Sequence, residues 1–186
     1  CYYRKDEINV ATDMFQKAVE LNPKDIFAYF YLGNIYQSMG LTNFAEDSYK
    51  KVLNISPDYS WAYFNLASIA YKNENLEEAR DYLHKTIETN PMDIEAYKLL
   101  TKIYLKENET EEIITILETR LDREDNGDLY YILAQVYKHV QNMEDYQTAL
   151  EYALENNLTL TYPKNEVELV KLLKYLKNNN IDFFIL

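Results

Sequence analysis

The chain repeats itself. The stretch PDYSWAYFNLASIAYKNENLEEARDYLHKTIETNP runs from Pro57 to Pro91, and the same pattern runs from Pro23 to Pro57, each step covering 34 residues. Small Ala11, Ala45 and Ala79 keep that spacing, and so do bulky Phe15, Tyr49 and Leu83. Tyr29, Leu32, Gly33 and Tyr36 correspond to Tyr63, Leu66, Ala67 and Ala70. Each repeat holds two helical patterns, joined in the second by Lys72-Asn73-Glu74-Asn75. One helix pair cannot bury its apolar faces alone, so such pairs stack, small residues allowing close approach and bulky ones filling the space between.

The repeat makes the 186 residues one continuous array and an all-α fold. Only three glycines and four prolines leave little room for long loops. The net charge of −12 repels phosphate backbones and anionic bilayers, which argues against nucleic-acid binding and membrane association. A single cysteine, Cys1, excludes an internal disulfide. No signal segment or membrane-length apolar run is present, so no membrane insertion and a cytoplasmic location are expected.

In chain order, 6–21 is an amphipathic helix with Ile8, Ala11, Phe15, Ala18 and Val19 on one face. It matches the second helix of a pair whose first helix is missing or reduced to Cys1-Tyr2-Tyr3, so the chain reads as a piece of a longer repeat protein. Complete pairs follow at 25–55 and 59–89. Gly40 ends a helix, and Asn75 with Glu78 forms a cap. The pair at 93–122 is degenerate: Ile113 replaces the small alanine, Asp125 stands where proline is expected, and Asn108 with Glu111 repeats the cap. A fourth pair, 127–155, is offset by 33 residues and puts Tyr146 at the small position. The stretch leading into it, Asp122 to Gly127, is the most polar turn and the expected flexible point. A capping helix at 165–178 and an apolar tail at 180–186 close the chain. The tail is expected either to dock on that helix or to meet a partner.

Chemistry is hard to find. The two histidines, His84 and His139, have no ligand-spaced companions, so no metal or cofactor is expected. No phosphate loop, nucleophile elbow or Cys–His arrangement occurs. Glu77-Glu78 and Glu111-Glu112 sit in first helical turns, where they complement the helix dipole. The chain is expected not to be an enzyme, and it has no catalytic residues to name.

The pattern of Tyr29, Leu32, Gly33 and Tyr36 followed by Ala45, Tyr49 and Pro57 resembles the tetratricopeptide repeat (TPR) family over about 8–93, and in weakened form beyond. The resemblance implies a right-handed α-solenoid of stacked antiparallel helix pairs, with the first helices lining a concave groove. It places Phe27, Phe30 and Asn34 there, then Trp61, Phe64, Ser68 and Tyr71, then Lys98, Lys102 and Lys106. Phe30, Phe64, Tyr71, Lys72 and Lys106 stand at positions generic to the family, so Trp61, Phe27, Lys98 and Lys102 carry the groove reading. Relatives that clamp a chaperone's terminal carboxylate use two Asn and three basic residues. Asn34 and Asn65 fill the Asn places, but Phe30, Glu95 and Leu99 fill the basic ones. The asparagine ladder of the sugar-transferase relatives has Asn65 but Tyr31 and Leu99 at its other places.

The expected function is therefore a protein-interaction scaffold whose groove takes a peptide or partner subunit with apolar anchors and an acidic group. The alternatives are self-association as a structural module of a larger complex, and a regulatory arm of an enzyme lying outside this chain.

Overall fold

A computed structural model describes residues 2–159 except Asn157. Helices occupy almost all of that length. They are α1 (Tyr2–Leu21), α2 (Ile26–Ser38), α3 (Thr42–Ile55), α4 (Ser60–Lys72), α5 (Leu76–Thr89), α6 (Ile94–Glu107), α7 (Thr110–Leu121), α8 (Gly127–His139) and α9 (Met143–Glu155). The expected capping helix and apolar tail lie outside the described residues. The fold class is all-α, of the solenoid type built from helix pairs. The chain divides into two compact units, 1–96 and 97–186, with the division falling inside α6.

In the first unit each helix packs on the next, α1 on α2 through to α5. Ala45, Tyr49 and Val52 of α3 meet Ala62, Leu66 and Ile69 of α4 in its core. Alanines at the crossing points let backbones approach, and the larger side chains fill the layer between. In the second unit α7 packs on α8 and α8 on α9. Leu100, Ile103, Ile113, Leu117, Leu129, Val136 and Leu150 are fully buried there. Ile113 and Tyr146, at the position held by Ala45 and Ala79, are both accommodated in the interior.

One backbone device closes the first helix of each pair. Gly40, Glu74, Asn108 and Gln141 take φ of 74°, 60°, 60° and 61°. The next residue donates its amide five residues back: Leu41 to Tyr36 (2.9 Å), Asn75 to Ala70 (3.0 Å), Glu109 to Tyr104 (2.9 Å) and Asn142 to Tyr137 (2.9 Å). This is the Schellman arrangement, in which one left-handed residue satisfies the last carbonyls of a helix. The residue that donates this bond is also the N-cap of the following helix, so the turns are short.

Two details differ from expectation. Tyr2 and Tyr3 belong to α1 itself, because nothing between them and Asn22 breaks a helix. Asn108 is the left-handed residue and not a cap; Glu109 occupies the N-cap, and its side chain does not cap the helix. In the second pair Asn75 does cap α5, its Oδ1 accepting from Glu78 N (3.4 Å) and its Nδ2 donating to Glu78 Oε2 (2.8 Å). The polar turn before α8 is tied on several sides. Asn126 Oδ1 accepts from Asp128 N (3.0 Å) and Leu129 N (3.1 Å), and the Tyr130 hydroxyl donates to Asp125 (2.7 Å).

Candidate functional site

In the first unit, helical spacing puts Phe27 and Phe30 on α2 and Trp61 and Phe64 on α4, the first helices of consecutive pairs. Phe30 is the hub. Its ring centroid lies 6.1 Å from Trp61, 5.3 Å from Tyr59 and 6.0 Å from Tyr31. Tyr59 meets Trp61 edge-on at 6.0 Å, and Tyr31 stacks on Phe15 of α1 at 5.3 Å. These are the separations at which aromatic pairs attract. The cluster is not sealed: Trp61 is 57% exposed, and Phe27, one helical turn before Phe30, is 59% exposed. Beside Trp61 lies a shallow cavity of about 230 Å³ lined by Asp58, Tyr59, Ser60 and Trp61. Burial, and then the neighbouring Tyr31, pushes the Tyr59 phenol above its ordinary pKa.

The other expected residues divide. Asn34 Oδ1 accepts the Tyr49 hydroxyl (2.7 Å), and Asn65 Nδ2 donates to the Trp61 carbonyl (2.9 Å), so both amides are engaged within the fold. Ser68 and Tyr71 are half-buried on α4, as is Phe64. Lys98, Lys102 and Lys106 are exposed on α6 at one-turn spacing and belong to the second unit, while the aromatic face belongs to the first. Two members of that face, Tyr31 and Tyr59, were not singled out from sequence. Tyr31 lies one position off the apolar stripe and Tyr59 precedes its helix, so periodicity points to neither; only the run of aromatic neighbours hints at them.

Among the described residues no group of three His, Cys, Asp or Glu is placed to hold a metal ion, and no helix is long and apolar enough to cross a membrane.

Two family profiles described as tetratricopeptide repeat match, one over residues 42–103 and one over 14–45. The chain carries tetratricopeptide repeats. The matched TPR residues run from within α1 into α6 and so include the aromatic face. No curated protein matches the sequence. Among solved structures, the TPR chain is similar to MamA (23% identity, 82% of this chain and 90% of that one, TM-score 0.63). It is also similar to PilF of Pseudomonas aeruginosa (15% identity, 97% and 82%, TM-score 0.66). A third is YrrB, described as a TPR protein with an unusual peptide-binding site (23% identity, 82% and 79%, TM-score 0.58). At these identities the likeness concerns the TPR fold.

Proposed function

We propose that this TPR chain is a non-catalytic docking module whose first unit holds a partner polypeptide on the face made by Phe27, Phe30, Tyr59 and Trp61. The observation that carries the reading is the exposure of Trp61 on an otherwise packed aromatic cluster, with exposed Phe27 one helical turn before Phe30. Isolated exposed apolar residues are ordinary, but large aromatics grouped on one rigid face lower their free energy when a partner covers them. Rings held by Phe30 lose little side-chain entropy on binding, which is why Trp and Tyr serve as anchors. The peptide-binding site described for YrrB, which shares the fold, lends the reading support. The partner supplies an apolar anchor for the indole.

Trp61 is the chain's single tryptophan, so its fluorescence reports on this face alone. Peptides selected from a displayed library against the whole chain should shift the emission to the blue and should bind Trp61→Ala at least about tenfold more weakly, the loss of a hot-spot side chain. Selected peptides that leave the emission unchanged and bind the variant equally would place the docking surface elsewhere.

A second reading is self-association through α1. Val10 and Met14 are 57% and 67% exposed there. Light scattering that shows a monomer at all concentrations would remove it.

A further inference from the structure

The groove between α7 and α9, floored by α8, contains a cavity of about 510 Å³. The counterpart two repeats earlier, between α3 and α5 over α4, contains about 60 Å³. The linings differ at two equivalent places: the earlier groove has Ala70 on α4 and Tyr82 on α5, and the later one has Tyr137 on α8 and Ala149 on α9. The ring has moved from the wall helix to the floor helix, and the later space, about 510 Å³, has room for a planar group beside Ala149.

The charge changes as well. Lys50 lines the earlier groove and pairs with Glu46 at 3.6 Å. At the place of Lys50 the later groove has Glu118. Asp122, Asp125 and Asp145 line the same space, and none of the described residues lining it is basic. The groups that do reach these carboxylates are neutral donors. The Tyr137 hydroxyl donates to Glu118 (2.6 Å), the Tyr130 hydroxyl to Asp125 (2.7 Å) and the Asn142 amide to Asp145 (2.6 Å). Such bonds orient the carboxylates and leave their charge in place. Along the rim, Tyr130 and Tyr152 stack at 5.2 Å with 23° between their planes, and Tyr152 is 48% exposed.

We infer that this groove is a second docking site, which takes an arginine side chain of a partner polypeptide. A guanidinium fits all three properties of the space. It is planar, so it lies on the face of the Tyr130–Tyr152 stack. It is cationic, so it compensates carboxylates in a groove with no basic lining. It presents several N–H groups in one plane, so it bridges two carboxylates at once. The site rests on the groove's volume and charge and is independent of the aromatic face of the first unit.

The test is a titration of the whole chain with N-acetyl-arginine amide at low salt, read by NMR of the tyrosine rings. N-acetyl-citrulline amide, a neutral isostere, runs beside it. Saturable shifts at Tyr130 and Tyr152 with arginine and none with citrulline are expected. Glu118→Lys, which restores the charge of the earlier groove at an exposed position, should abolish them. Ala149→Tyr, which refills the space, should do so too, with circular dichroism confirming the helices. Equal shifts with citrulline, shifts that survive in Glu118→Lys, or shifts spread evenly over the other tyrosines would each overturn the assignment.

Discussion

Gly33 and Tyr49 share one volume. A methyl group on Gly33 would stand 2.5 Å from Cε1 and 2.8 Å from Cδ1 of the Tyr49 ring, closer than carbon atoms approach. Tyr49 is itself fully buried, its hydroxyl donating to Asn34 Oδ1 at 2.7 Å with Gln37 Oε1 at 3.0 Å. One repeat on, the same two places hold Ala67 and Leu83, both buried. A smaller filler there leaves space for the methyl. The complementarity is between helices, and each repeat solves it with a different pair.

Gly33→Ala should therefore destabilise the chain despite alanine's better helix propensity. Overpacking a core costs about 1–3 kcal/mol, more than the ~1 kcal/mol that alanine gains over glycine in a helix. The double variant Gly33→Ala/Tyr49→Leu, which copies the next repeat, should recover part of the loss. Urea midpoints of the single and double variants check this. Additive losses in the double variant would show that the two residues do not compete for space.

The left-handed residues give a second prediction, of opposite signs at two equivalent positions. Gly40 has nothing within 4 Å of an added Cβ, so any cost of Gly40→Ala comes from its φ of 74°. That cost is about 1 kcal/mol. Glu74 takes φ of 60° with a side chain already present, and Glu74→Gly should stabilise by about 0.5–1 kcal/mol. Thermal unfolding of both variants decides. A loss on Glu74→Gly would mean that its side chain contributes more than the strain removes.

Asp128 ties the segment after α9 back to the start of α8. It is buried, and its carboxylate accepts the Thr159 amide (2.6 Å) and the Thr159 hydroxyl (2.5 Å). A Cβ on Gly127, next to it, would strike the Asn156 carbonyl oxygen, so this approach needs glycine. Hydrogen bonds to a charged group contribute about 1.5–3 kcal/mol. Asp128→Ala should lower stability by about 2 kcal/mol and speed hydrogen exchange at the Thr159 amide, while Asp128→Asn keeps an acceptor and should cost less. Unchanged exchange at Thr159 in the alanine variant would rule the tie out.

The alkaline limb of stability should carry a tyrosine signature. Burial first, then the hydrogen bond to Asp125, pushes the Tyr130 phenol up to about 12. Burial raises Tyr49 and Tyr137 as well. An unfolded tyrosine ionises near 10, so between about pH 10 and 12 the folded chain holds protons that the unfolded chain gives up. The stabilisation is fully present below pH ~10 and is lost as pH rises through that window. Urea midpoints should fall between about pH 10 and 12 for the wild type and fall less for Tyr130→Phe. Parallel falls would remove Tyr130 from the account.

The sequence by itself determined the helix pairs. Identical spacing of Ala45 and Ala79, of Tyr49 and Leu83, and of Pro57 and Pro91 is a local, periodic signal, and helix formation with repeat stacking follows from local periodicity. It also put Phe27, Phe30 and Trp61 on first helices, because helical spacing is read residue by residue. Only tertiary structure decided what depends on side chains meeting from different helices. The stacking of Tyr31 on Phe15, the closing of Asp128 on Thr159 and the capture of Asn34 by Tyr49 each join residues that no period links. The space beside Ala149 is of the same kind: it is bounded by side chains of α7, α8 and α9, which only their packing brings together.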